Sequence, residues 1–273
     1  MGDGTEKNPY TREDVLKKIE EMKGSYDWVN LSGGKFENKV DLRDINLHGI
    51  ILRKAILYGA RLEGVNLSFA KLEGIDLSFA HLEGADLSFA YLEGADLFST
   101  EYSPETKLAD VEWGNYVLCE EEKLRLGPIE NPYRRLKQWY TNAGMYGIAG
   151  KFFYREMEVK RKSQKWKKEP HLKLWSWVLR LLCGYGEKPE RAGISAAVVI
   201  FGLAVAYYLL GTFSSSSFID TLYYSVVSFV ALGYGSWAPQ PIGWAKYMGA
   251  AEAVFGVFMM ALFLVTFTRK MTR

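Results

Sequence analysis

Two hydrophobic patterns divide the chain. From Leu42 to Leu97 a leucine returns at every fifth residue, and the residue two before each is small or β-branched, from Val40 and Ile45 to Ala90 and Ala95. On a helix a step of five rotates a side chain by about 140°, and on a strand an odd period flips it between faces. Neither element buries these leucines together. The pattern works when each pentapeptide is one short side of a coil that turns before the next, with coils stacked at about the inter-strand spacing of 4.8 Å. Farther on, Ala192 to Thr212 carries no charge and Tyr247 to Thr268 carries only Glu252. Each run suits a hydrocarbon core of roughly 30 Å, which predicts spans at 192–212 and 246–268. Between them the sequence predicts a helix at 219–230, capped by Ser217 with Asp220 in its first turn and too short to cross.

Other periodic segments fill the gaps. "TREDVLKKIEEM" predicts an N-terminal helix, with Thr11 as cap, Asp14 at the capping-box position and Val15, Leu16, Ile19 and Met22 on one face, closing the open end of the stack. "ADVEWGNYVL", Ala109 to Leu118, restarts a pentapeptide out of phase. Two packed helices are expected from Pro132 onward, with Leu136, Trp139, Tyr140, Tyr146, Ala149, Phe152, Phe153 and Met157 as their apolar stripe. "HLKLWSWVLRLLCGYG" mixes leucine and tryptophan with Lys173 and Arg180, the composition of a helix lying among lipid headgroups.

Charge orients the chain. Basic residues from Lys160 to Arg191 precede the first span, Arg269, Lys270 and Arg273 follow the second, and Lys246 is the one cation between them. The positive-inside bias therefore puts both termini in the cytoplasm of a cell-membrane protein. The first ten residues lack the apolar core of a signal peptide. Cys119 and Cys183, without CxxC spacing, are expected as unpaired thiols.

"ADLSF" at Ala85 and "ADLFS" at Ala95 resemble the pentapeptide repeat family, whose pattern is A-(D/N)-L-x-x. The resemblance implies a right-handed, four-sided β-helix, its twelve repeats from Val40 to about Ser99 making three coils. Residues twenty apart then stack, Phe69 under Phe89, Glu73 under Glu93 and Glu63 under Glu83. Such like-charge stacking repels. It reads as a solvated acidic ladder or as a docking strip for a basic partner. Arg53, Lys54, Arg61 and Lys71 interrupt it, which argues against DNA mimicry.

"LYYSVVSFVALGYGSWAP", Leu222 to Pro239, resembles the two-transmembrane, pore-loop potassium channel family. What that resemblance implies is a homotetramer in which backbone carbonyls of Ala231, Leu232, Gly233, Tyr234 and Gly235 replace the hydration shell of K+. Gly233 and Gly235 permit the left-handed backbone angles that turn successive carbonyls one way. The sequence departs from T-V-G-Y-G-D at Ala231, Leu232 and Ser236, removing a ring of hydroxyls and a bracing carboxylate. Glu252 is costly in lipid and is expected to hydrogen-bond behind the pore helix, to Tyr223, Tyr224 or Ser228, in place of that carboxylate. Gly256 stands near the family's hinge, and Met260, Phe263 and Phe267 form a candidate gate.

The expected organisation is a multidomain membrane protein: a capping helix at 1–35, a β-helix at 36–118, a basic helical connector at 119–190 and an all-α pore domain at 191–273. His48, His81 and His171 are scattered, and no Ser-His-Asp set, metal cluster or phosphate loop is visible, so an enzyme is not expected and no cofactor beyond permeant K+ is implied. Expected partners are three further copies, membrane lipid and an unknown cytoplasmic ligand or protein at the solenoid, with no nucleic acid. The alternatives are a weakly selective cation channel and a membrane-anchored scaffold, which leaves "ALGYG" unexplained.

Overall fold

The computed structural model describes residues 2–22, 28–116, 118, 132–163, 170–211, 213, 217–233 and 241–271. They form two compact units, Met1–Ser163 and Gln164–Arg273. Cys119 lies outside the described residues.

The first unit is built on parallel bridges between residues twenty apart: Asp41 with Arg61, Asn46 with Asn66, Ile51 with Lys71 and Ile56 with Asp76, continuing to His81 with Glu101. A bridge at every fifth residue and a partner at every twentieth give a coil of four sides. Each side contributes one bridging residue, and extended strands are absent among the described residues. Along the repeat both the leucines and the residues two before them are buried.

The turn between sides explains the rest of the repeat. Ala60 N donates to Leu57 O at 3.1 Å, and Gly59 has φ of 64°, the positive angle that the third position of a type II turn requires. Phe69, Phe79 and Phe89 hold the same position with φ of 58°, 59° and 60°, which costs a bulky residue about 1–2 kcal/mol. Where Asp or Asn precedes the leucine, its side chain accepts from the amide two residues on, as in Ser78 N to Asp76 Oδ1 at 2.9 Å and Ser88 N to Asp86 Oδ1 at 3.0 Å. Small or β-branched residue, leucine and turn thus each have their own physical reason, and the position before the leucine varies.

The coil extends beyond the expected three turns at both ends. Leu31 and Phe36 are buried before it, and Leu108, Trp113 and Leu118 after it. Bridges there run 21 residues apart, Asn30 with Ile51 and Asp86 with Lys107. One extra residue at each end breaks the sequence phase without breaking the stack.

Both ends are closed. Helix α1 (Arg12–Glu21) has the expected capping box between Thr11 and Asp14. It buries Val15, and its Arg12 donates to the carbonyls of Asp41 and Arg43 at 2.7 and 3.1 Å. Leu16, expected on the apolar face, is exposed. At the other end lie α2 (Pro132–Asn142) and α3 (Tyr146–Ser163). Phe152, fully buried, stacks on Tyr140 at 5.7 Å and meets Trp113 edge-on at 5.1 Å. Trp113 Nε1 donates to Tyr140 Oη at 2.8 Å, which donates to Leu108 O at 2.9 Å. These helices are the lid of the solenoid.

On the solenoid's surface Phe69 stacks on Phe89 at 4.9 Å with an angle of 10° between the rings. The acidic ladder is interleaved with cations: Arg53 grips Glu73 through two bonds of 2.9 and 3.0 Å, and Arg61 lies 3.5 Å from Glu63 and 3.7 Å from Asp41. His81, expected to stand apart, has Nδ1 3.6 Å from Glu83 and 3.5 Å from Glu101, a proximity set by the coil.

The second unit holds α4 (Pro170–Cys183), α5 (Pro189–Leu209), α6 (Phe218–Val230) and α7 (Ala245–Met271). Of these, α5 and α7 are long and apolar enough to cross a membrane. The exposed Leu172, Leu174, Trp175, Trp177 and Leu181 make α4 amphipathic with a wide apolar face. "GYG" at 184–186 is a tight turn joining α4 to α5, with Tyr185 buried at φ of 58°. Burial pushes the Cys183 thiol up from its ordinary value, so it is a protonated packing group.

Candidate ion-conducting site

Helix α6 starts at Ser217, whose hydroxyl accepts from Ile219 N at 3.3 Å. At 13 residues it is about 20 Å long, too short for the hydrocarbon core. It ends in a Schellman arrangement: Leu232 N donates to Val227 O at 3.3 Å and Ala231 N to Ser228 O at 3.0 Å. Ala231 takes the left-handed position, φ 54° and ψ 32°, that glycine usually fills. Gly233 has φ of 84°, so positive angles alternate along 231–233. The negative end of the helix dipole faces this turn, which favours cations.

Three elements pin α6 from behind. Glu252 of α7 is 3% exposed and accepts from Tyr207 of α5 at 2.9 Å and from Ser225 of α6. Ser225 Oγ also lies 3.0 Å from Ile200 O of α5. The expected partners of Glu252 were Tyr223, Tyr224 or Ser228. Helical rotation instead turns Ser225 toward α7, while Ser228 bonds the Tyr224 carbonyl of its own helix at 2.8 Å. Tyr224 meets Tyr207 at 5.4 Å and Phe213 at 4.7 Å, both edge-on, and its hydroxyl donates to Ala245 O at 3.3 Å.

Backbone contact completes the clamp. A Cβ on Gly256 would collide with the carbonyl of Phe229, and one on Gly249 with the Tyr224 hydroxyl. These two glycines, a heptad apart, let α7 lie directly on α6. At Gly256, expected as a hinge, α7 is continuous helix packed against the Phe229 carbonyl.

The sequence-predicted residues fall into three groups. Ala231, Leu232 and Gly233 follow one another from the end of α6, with Leu232 75% exposed, whereas Tyr234, Gly235 and Ser236 lie outside the described residues. Tyr224, Ser228 and Glu252 are buried behind them. Met260, Phe263 and Phe267 are partly exposed along α7, Phe263 and Phe267 stacked at 5.6 Å. Met260 and Phe263 line an apolar cavity of about 350 Å³ with Ala192 and Ala196 of α5. Sequence reasoning missed Tyr207 and Ser225. The tyrosine pair Tyr207 and Tyr208 in an otherwise apolar span, set against the lone acid of the other span, is the signal that points to the first.

Comparison with known proteins agrees with this division of the chain. Residues 27–68 and 60–97 match the family model described as pentapeptide repeats, in eight copies, and residues 194–273 match the model described as ion channel. No curated protein matches the chain. Among solved structures, it is similar to a pentapeptide repeat protein from the Arabidopsis thaliana thylakoid lumen, at 25% identity and TM-score 0.22 over 44% of this chain and 81% of that one. A second is a pentapeptide repeat protein involved in heterocyst differentiation regulation from the cyanobacterium Nostoc, at 33% identity and TM-score 0.17 over 30% of this chain and 38% of that one. A third, also a pentapeptide repeat protein from Nostoc, has 25% identity and TM-score 0.16 over 36% and 93%. The chain thus fuses N-terminal pentapeptide repeats to an ion channel domain.

Proposed function

We propose that this ion channel domain conducts potassium as a homotetramer, with the carbonyls of residues 231–235 replacing the ion's water. The observation that carries this reading is the ending of α6. A helix too short to span stops at a left-handed Ala231, and its chain continues into Gly233 between two membrane-length helices. Irregular backbone at membrane depth is tolerated only where protein or water encloses it. One copy has two spans and cannot enclose a pore, so symmetry supplies the rest. Both termini face the cytoplasm of the cell membrane in this reading, and the solenoid regulates opening rather than catalysing a reaction.

A specific departure favours a second reading, weakly selective cation conduction. Ala231 carries no hydroxyl, so the innermost ion site keeps carbonyls alone. Flux from liposomes loaded with K+, Na+ or a larger cation separates the two. Potassium-selective flux abolished by Gly233→Ala supports the first, equal K+ and Na+ flux supports the second, and no flux from a folded tetramer overturns both. Deleting residues 1–125 is expected to change open probability while leaving conduction; unchanged gating removes the regulatory role.

A further inference from the structure

On the flank of the solenoid the coil brings three metal-ligating side chains together: His81, Glu83 and Glu101, whose ligand atoms all lie within 4.8 Å of one another. We propose that they bind one Zn2+ ion, through His81 Nδ1 and one oxygen of each carboxylate, with water in the fourth position.

The backbone fixes the cluster. His81 and Glu101 form a parallel bridge one coil apart, and Leu82 N donates to Glu101 O at 2.7 Å. Leu82 is buried, so His81 and Glu83 on either side of it both project outward. Bound there, the ion clasps two successive coils.

Spacing separates a metal site from a shared proton. His81 Nδ1 lies 3.6 Å from Glu83 Oε1 and 3.5 Å from Glu101 Oε2. An N–H···O bond is shorter, about 2.7–3.2 Å. Bonds of about 2.0–2.2 Å from a tetrahedral zinc instead hold its ligand atoms about 3.3–3.5 Å apart. Side-chain exposures of 40%, 37% and 56% for His81, Glu83 and Glu101 leave the fourth position open to water.

Charge supplies an independent argument. Glu83 Oε2 is shielded from solvent and has no hydrogen-bond partner among the described residues. One coil earlier Arg61, the bridge partner of His81, lies between Glu63 and Asp41 at 3.5 and 3.7 Å, a fixed cation for two carboxylates. His81 puts an imidazole in that register, which offers a metal a lone pair. The two carboxylates beside it balance a divalent charge. The donor set selects the ion: one imidazole with two carboxylates suits zinc, whereas calcium takes about six to eight oxygens and magnesium an octahedron of them.

The test is calorimetric titration of the full, tag-free chain in detergent with Zn2+, and separately with Mg2+ and Ca2+, followed by X-ray absorption at the zinc edge. One Zn2+ per chain is expected, in a nitrogen and oxygen shell that includes one imidazole, with Mg2+ and Ca2+ at least about tenfold weaker. His81→Ala and Glu101→Gln are each expected to weaken Zn2+ at least about tenfold, whereas His48→Gln, at a histidine elsewhere on the coil, leaves the affinity unchanged. Thermal unfolding provides a second measurement: Zn2+ raises the midpoint of the N-terminal unit in the wild type and not in the isosteric Glu83→Gln variant. Absence of Zn2+ binding, a shell containing sulfur, undiminished binding in the His81 and Glu101 variants, an equal midpoint rise in Glu83→Gln, or preference for Mg2+ or Ca2+ overturns the proposal. The readouts are bound metal and the stability of the solenoid, so they stand apart from ion flux.

Discussion

Tyr207 donates its hydroxyl to the Glu252 carboxylate at 2.9 Å, tying one membrane-length helix to the other at the point where Ser225 of the short helix reaches the same acid. Each hydroxyl left without this acceptor costs about 1–3 kcal/mol. Glu252→Ala takes this acceptor from both, leaving Ser225 the Ile200 carbonyl at 3.0 Å, and is expected to lower the thermal midpoint of the channel unit in detergent. Tyr207→Phe removes one bond while leaving Ser225 its acceptor, and is expected to cost about 1 kcal/mol. Equal midpoints for both variants and the wild type would show that the three helices are held otherwise.

Gly256 distinguishes packing from hinge bending. A methyl group there meets the Phe229 carbonyl, which belongs to rigid helix backbone. Gly256→Ala is therefore expected to cost about 1–3 kcal/mol by overpacking and to reduce the yield of assembled protein on size exclusion. A variant that assembles normally and differs only in open probability would favour the hinge reading.

The aromatic lid sets the stability of the solenoid. Phe152→Ala empties a site between Trp113 and Tyr140 and is expected to cost about 3–5 kcal/mol, read as the unfolding free energy of the N-terminal unit. Phe89→Gly, on the surface, is a contrasting case. It loses a stacked ring worth about 0.5–1.5 kcal/mol but relieves about 1–2 kcal/mol of left-handed strain. The two nearly cancel, and a midpoint close to wild type is expected.

Asp41 gives the solenoid a dependence on acid. Hydrogen bonding from the Arg43 side chain holds its carboxyl well below the ordinary value of 3.8, with Arg61 adding a smaller attraction. A depressed folded-state value stabilises the fold fully above that ordinary value, and the contribution fades as pH falls through the folded-state value. Asp41→Asn is expected to narrow the stability difference between pH 6 and pH 3; an unaltered acid profile would discount the pair.

Much of this was legible because repeats and apolar runs are strong physical signals. The leucine period from Leu42 to Leu97 dictated the coil, and stacking of Phe69 on Phe89 followed from its twenty-residue turn. Leu31 fell outside the expected β-helix, and the segment with Trp113 was legible only as a pentapeptide out of phase, because a single inserted residue shifts the phase while the backbone absorbs it. The stripe containing Tyr140 and Phe152 announced helices but not their target, since an apolar face does not name what covers it. At the candidate site, the cost of burying Glu252 announced a partner. Which hydroxyl it meets depends on rotation of α6 about its axis, and a choice between Ser225 and Ser228 turns on a helical phase that periodicity fixes only loosely. Left-handed Ala231 had no sequence signal, because glycine or asparagine, not alanine, usually marks that position.

The plugs at Val15 and at Phe152 bear on how solenoids meet. A β-helix with a raw terminus invites another to continue it, rung upon rung, into a fibre. Here each terminus is stoppered, so the solenoids of any two copies can meet broadside but not end to end. Flanks carrying Phe69, Phe89 and the paired charges then govern any such meeting.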